Sequence, residues 1–146
     1  RMMLLKDFIA YVVMQIGGAI FGCIVANIIF KLPPVTISTL VRHDFSQFLS
    51  EILATFGLIL VIFIGSEVAK QNIPVLVGSY ITSAYWFTSS TSFANPAVTV
   101  ARQFSDTFTG ISPSGVPTFI IAQIFGAILG FIVIQWLTNT VIESDY

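Results

Sequence analysis

Charge is what this sequence has least of. Only 9% of its 146 residues are Asp, Glu, Lys or Arg, where a soluble domain carries about 25%. Six basic and seven acidic side chains leave a formal net charge of −1. Spread this thinly, the basic residues form no patch for nucleic acid, which is not an expected partner. Cysteine is nearly absent too. Cys23 stands alone, which excludes an intramolecular disulfide. His43 is equally solitary. One His and one Cys supply neither a catalytic dyad nor a metal cage, so the chain is read as no enzyme, without metal or cofactor. Apolar mass takes the place of charge: 55% of residues are hydrophobic and mean hydropathy is +0.92. Such a chain is expected to have the lipid bilayer as its solvent, as a multi-pass protein of the cell membrane.

Four apolar stretches are long enough, or nearly so, to cross a bilayer. Residues 8–30 form the first, bracketed by Lys6 and Lys31 as snorkelling ends. Pro33-Pro34 closes it, and 31–47 is a polar connection carrying Arg42, His43 and Asp44. Residues 48–65 form the second span, with Ser46 as its expected cap and Glu51 near its start. Residues 73–87 form a shorter and more polar third, in which Ser79, Thr82, Ser83 and Trp86 share one helical face. Residues 118–137 form the last, followed by a tail holding Glu143 and Asp145. The sequence opens on Arg1, not Met, so a processed or truncated product is expected. The first apolar run is too long for a signal peptide, and no small-residue cleavage site follows it.

Between the third and last spans lies a hydroxyl-rich stretch, residues 88–102, that contains Asn95-Pro96-Ala97. Asn is a preferred N-cap, and Pro suits the first helical position, where no N–H is needed. The pattern predicts a short helix over 96–106, roughly 15 Å long.

The chain also repeats itself. Residues 15–25 read QIGGAIFGCIV and residues 123–133 read QIFGAILGFIV, identical at eight of eleven positions. Gly18 and Gly22 in the first copy match Gly126 and Gly130 in the second, each a small-xxx-small pair suited to close helix packing. Gln15 and Gln123 are expected to bond between helices. If the first and last spans are equivalent, each closes one repeat. Spans two, three, the short helix and span four then make one complete repeat. Two spans and a second short helix are expected upstream of Arg1. An odd number of spans per repeat inverts one copy relative to the other, an arrangement common in channels and transporters. Cations divide evenly: Arg1, Lys6 and Lys70 on one side, Lys31, Arg42 and Arg102 on the other, so charge sets no orientation.

On these residues the chain resembles the major intrinsic protein family, the aquaporins and aquaglyceroporins. The likeness rests on Asn95-Pro96-Ala97 after a Ser/Thr-rich stretch, on Glu51, and on the two Gln-x-x-Gly-Ala-x-x-Gly helices. It implies an all-α, aquaporin-like inverted-repeat bundle, here four spans plus one re-entrant half-helix in one channel domain, 1–146. It also implies a homotetramer passing water and small neutral solutes. In that setting the half-helix N-terminus places a positive dipole end at the pore centre, a barrier to protons and cations. Asn95 donates its amide to passing molecules, and the 88–94 backbone offers carbonyl acceptors. Glu51 accepts N–H bonds from the re-entrant loop.

The departure from the family is Val98. Most members place an Arg directly after this Asn-Pro-Ala. Here the nearest cation is Arg102, one turn on, set either toward the vestibule or against loop carbonyls. Ser83 (or Thr82 or Ala84, if the alignment shifts) and Ser92 fall at the other constriction positions. Small side chains there imply a wide filter lacking the usual arginine, suited to glycerol, urea or arsenite as the neutral acid. The alternative is a secondary transporter built on inverted repeats. Trp86 and Trp136 read as packing or interfacial aromatics.

Overall fold

A computed structural model describes residues 3–144, with side chains through 139. Arg1 and Asp145 lie outside the described residues, as does the side chain of Glu143. The regular elements among the described residues are all helical: α1 (Leu5–Ile29), α2 (Phe45–Val68), α3 (Ile73–Phe87), α4 (Pro96–Arg102) and α5 (Val116–Ser144), with a 3₁₀ turn at Lys70–Asn72 before α3. Among the described residues, three helices are long and apolar enough to cross a membrane: Leu5–Ile29, Phe45–Val68 and Val116–Asn139. At 15 residues α3 falls short of the about 20 that a straight crossing needs.

Helix bounds differ from the sequence expectation in several places: α1 begins at Leu5, α2 ends at Val68 and α5 runs from Val116 to Ser144, and two further differences bear on the site. Helix α2 begins at Phe45, so Ser46 lies inside it, and Asp44 occupies the cap position without a side-chain cap bond. Helix α4 ends at Arg102, four residues before the expected Asp106. The reason is local competition. The Phe104 and Gln103 carbonyls accept N–H groups of Thr36 and Ser38, and the Asp106 carboxylate is engaged by Thr39. The backbone here bonds to another segment instead of continuing its helix.

The chain divides into two compact units: Arg1–Arg42 with Asn95–Thr118, and His43–Ala94 with Phe119–Tyr146. In the first, α4 packs along α1. Helix α1 ends in a Schellman arrangement: Leu32 N–H reaches Asn27 O at 2.8 Å and Lys31 N–H reaches Ile28 O at 2.9 Å. Lys31 holds the left-handed position at φ 58°, where glycine is usual and a side chain costs about 1 kcal/mol. The connection that follows runs extended beside residues 103–112. Thr36 and Ser38 donate to Phe104 O and Gln103 O, and Ser112 N–H returns to Leu40 O. The buried Arg42 adds a guanidinium bond to Phe108 O at 2.5 Å.

In the second unit, close approach is set by glycine. A Cβ on Gly126 would collide with Ile52 O, and one on Gly130 would stand 2.9 Å from Ile59 Cγ2. These glycines let α5 lie directly on the α2 backbone. On the α3 side of α2, a Cβ on Gly57 would meet the Tyr80 hydroxyl, which donates to Ala54 O at 2.9 Å.

Candidate functional site

The second unit centres on Glu51, which is fully buried on α2. A buried carboxylate is tolerated only when its oxygens are satisfied, and four donors do so here. Oε1 accepts Ser90 Oγ at 2.6 Å and Phe93 N–H at 2.9 Å. Oε2 accepts Ala94 N–H at 2.9 Å and Gln123 Nε2 at 2.7 Å. Ser90 Oγ in turn accepts Ser92 N–H at 3.1 Å. The segment so gripped is unusual backbone. Thr91, Ser92 and Ala94 have φ of 64°, 50° and 47°, left-handed conformations that cost about 1–2 kcal/mol each for residues with a Cβ. Charge-assisted bonds to Glu51, stronger than neutral ones, supply the compensation. Phe93 is buried against Phe119, ring centroids 5.2 Å apart. The Ser92 and Thr91 hydroxyls are buried without a hydrogen-bond partner among the described residues.

The chain passes from Ala94 directly into Asn95, the first residue of the returning part of the other unit. Asn95 is the expected cap in fact: Oδ1 accepts Ala97 N–H at 2.8 Å and Val98 N–H at 3.4 Å. Pro96 takes the first helical position, where its missing N–H loses no bond. Thr99 Oγ1 donates to Asn95 O at 2.9 Å. Because Oδ1 is used by the cap, the side-chain N–H₂ of this half-buried residue is the end left to donate.

Asn27 lies in the last turn of α1, a 25-residue helix long and apolar enough to cross a membrane. Asn27 is buried and binds three ways: Nδ2 donates to Pro34 O and Phe104 O, both at 3.1 Å, and Oδ1 accepts Ser105 Oγ at 2.7 Å. This pins the C-terminal end of α4 to the C-terminal end of α1. Packing along α1 then carries the Asn95 end of the seven-residue helix about 10 Å back toward the middle of α1. Val98, Ala101 and Arg102 face Ala19, Gly22, Cys23 and Ala26 of α1 across a groove of about 190 Å³.

Of the residues singled out by sequence, Ser92 and Glu51 meet in the buried cluster, whereas Val98 and Arg102 line the α1–α4 groove. Ser83 is exposed on α3 and bonds Ser79 O at 2.9 Å, and Thr82 likewise bonds Gly78 O. Gly22 lines the groove, but a Cβ on Gly18 or Gly22 would meet no atom within 4 Å among the described residues. Gln15 is exposed, unlike its repeat counterpart Gln123. Sequence reasoning missed Asn27, Ser90 and Ser105. Asn27 was visible in principle, as an amide near the end of an otherwise apolar run. Ser90 and Ser105 carry no signal separating them from neighbouring hydroxyls.

Together these features define a class: an all-helical multi-pass membrane protein in which a short capped helix packs along a helix long and apolar enough to cross a membrane. Comparison with known proteins agrees. The chain is 48% identical over 132 residues to Aquaglyceroporin AqpS of Rhizobium meliloti (strain 1021), covering 90% of this chain and 57% of that protein. It belongs to the major intrinsic protein family and corresponds to the C-terminal part of a subunit. It therefore spans a little over half the length of the relative it matches. No family model and no solved structure matches it.

Proposed function

We propose that this chain forms part of a passive channel for water and small uncharged solutes, and that it acts as a channel and not as an enzyme. The observation that carries the reading is the Asn95 cap. With Oδ1 committed to Ala97 and Val98, the side-chain N–H₂ is a fixed donor at membrane depth, suited to the oxygen of a passing molecule. The similarity to a protein named an aquaglyceroporin supports the same reading. Val98 follows the motif where an arginine is usual, and Ser83 and Ser92 are small. This favours a wide filter that admits glycerol, urea or neutral arsenous acid. Glu51 and Gln123 support the loop, and Gly126 and Gly130 support helix packing. A homotetramer, as the family implies, is part of the proposal.

The transporter alternative needs an intramembrane ionisable group free to couple. Glu51 is the acid deepest in a span, and its four bonded donors argue against that role. The test is solute uptake by vesicles containing the whole protein, driven by a solute gradient, with and without a protonophore. A channel gives flux that the protonophore leaves unchanged. Loss of flux on adding it overturns the proposal.

A further inference from the structure

A second cavity in the first unit, about 200 Å³, lies where the 31–42 connection meets the end of α4, lined by Asn27, Leu32, Pro33, Thr36, Ser105 and Asp106. It is smaller than the roughly 300 Å³ at which drug-sized pockets begin, so it suits a small solute. Its lining is of two kinds: Leu32 and Pro33 are apolar, and the other four are polar.

Hydrogen-bond accounting separates framework from unused groups. Asn27 has both ends committed, to Pro34 O, Phe104 O and Ser105 Oγ. Ser105 spends its proton on Asn27 or shares it with Thr107. Asp106 is used unevenly. Its Oδ1 accepts Thr39 N–H at 2.9 Å and the Ser38 and Thr39 hydroxyls at 3.3 Å, while Oδ2 receives one long bond of 3.4 Å from Thr39 Oγ1. The exposed Thr36 side chain has no hydrogen-bond partner among the described residues, and no cation pairs with Asp106 there. Two groups at the cavity wall therefore have capacity to spare: a carboxylate oxygen that can only accept, and a hydroxyl that can do both.

We propose that this cavity is a surface recruitment site for small neutral polyhydroxy solutes. Hydroxyl donors of the solute bond Asp106 Oδ2 and Thr36 Oγ1, and its C–H face lies on Leu32 and Pro33. The negative charge of Asp106 rejects anions, so a neutral hydroxy acid binds and its conjugate base does not. Asn27 ties the cavity to the end of α4, about 10 Å along that helix from Asn95, so solute is concentrated at the end of the element that reaches inward. The inference rests on the channel reading and adds a binding step to it.

The test is glycerol uptake against glycerol concentration by vesicles containing the whole protein, with osmotic water flux measured on the same vesicles. Asp106→Asn retains a carbonyl acceptor for Thr39 N–H, so the connection stays in place, and Thr36→Val leaves Asp106 untouched. The concentration giving half-maximal glycerol flux rises roughly tenfold in the first variant and roughly threefold in the second, the loss of one charged and one neutral hydrogen bond. Maximal flux and water flux stay as in the wild type. An unchanged half-saturation in either variant overturns the site and leaves the channel standing. Wild-type vesicles impermeable to glycerol, urea and arsenous acid alike overturn both.

Discussion

Gln123 donates its side-chain amide to Glu51 Oε2 at 2.7 Å, and both side chains are almost wholly enclosed. Gln123 belongs to the final helix and Glu51 to the second, so one hydrogen bond links α5 and α2 to the same carboxylate that grips the 90–94 backbone. The Gly126 and Gly130 approach to α2 brings the helices close enough for that bond. The loop conformation and the helix packing are thus one structural device.

Replacing Glu51 by Gln keeps the volume and removes the charge. One carboxylate oxygen becomes an N–H₂ donor facing an existing donor, Ser90, Phe93, Ala94 or Gln123. The expected loss is about 2–4 kcal/mol, from a broken charge-assisted bond and an unsatisfied buried group. A lower midpoint of thermal unfolding in detergent, with solute flux lost at assay temperature, checks it. An unshifted midpoint contradicts the role assigned to the cluster.

Val98→Arg places a cation one turn before Arg102, in a groove of about 190 Å³. In the whole protein, glycerol flux should fall severalfold more than water flux, because added bulk excludes the larger molecule first. Equal loss of both, or no change, removes the account of a wide filter.

Asn27→Leu fills the same space with no hydrogen-bonding group. It leaves Pro34 O, Phe104 O and Ser105 Oγ without their Asn27 partners. A destabilisation of about 2–3 kcal/mol follows if more than one of these stays unsatisfied. Amide hydrogen exchange resolves the effect by region: residues 96–112 should lose protection while α2 keeps its own.

Gly126→Ala forces a methyl group into the Ile52 carbonyl. Backbone cannot rotate aside as a side chain can, so α2 and α5 must separate, at about 1–3 kcal/mol. The midpoint of unfolding reports it. Gln123 should then hold Glu51 less well, so combining Gly126→Ala with Glu51→Gln should cost less than the sum of the two.

Removing the cap by Asn95→Ala leaves Ala97 and Val98 N–H groups unbonded, at about 1 kcal/mol. That modest cost should leave the protein folded, and the measurement is again split between stability and flux. A fall in solute flux much larger than the stability change is expected, because the donor at depth is gone.

Much was legible without coordinates because it depends on local rules. Low charge and long apolar runs assign the bilayer as solvent. Asn-Pro-Ala determines a helix start by capping and by the fixed φ of proline, and the cap formed as those rules require. The 15–25 and 123–133 match marks two helices of closely similar sequence. What the sequence could not decide is the partner each copy meets. Gln123 is buried on Glu51 while Gln15 is exposed, and Gly126 is packed while Gly18 meets no atom within 4 Å among the described residues, although the residues are identical. Nor could it show that α4 stops at Arg102, because the carbonyls beyond it are claimed by Thr36 and Ser38, some 65 residues away in sequence. Hydrogen-bond partners of that separation are set by which helices lie together. Tertiary packing alone determines that, and here it converts an unexceptional run of serines and threonines into a strained loop held on one buried carboxylate.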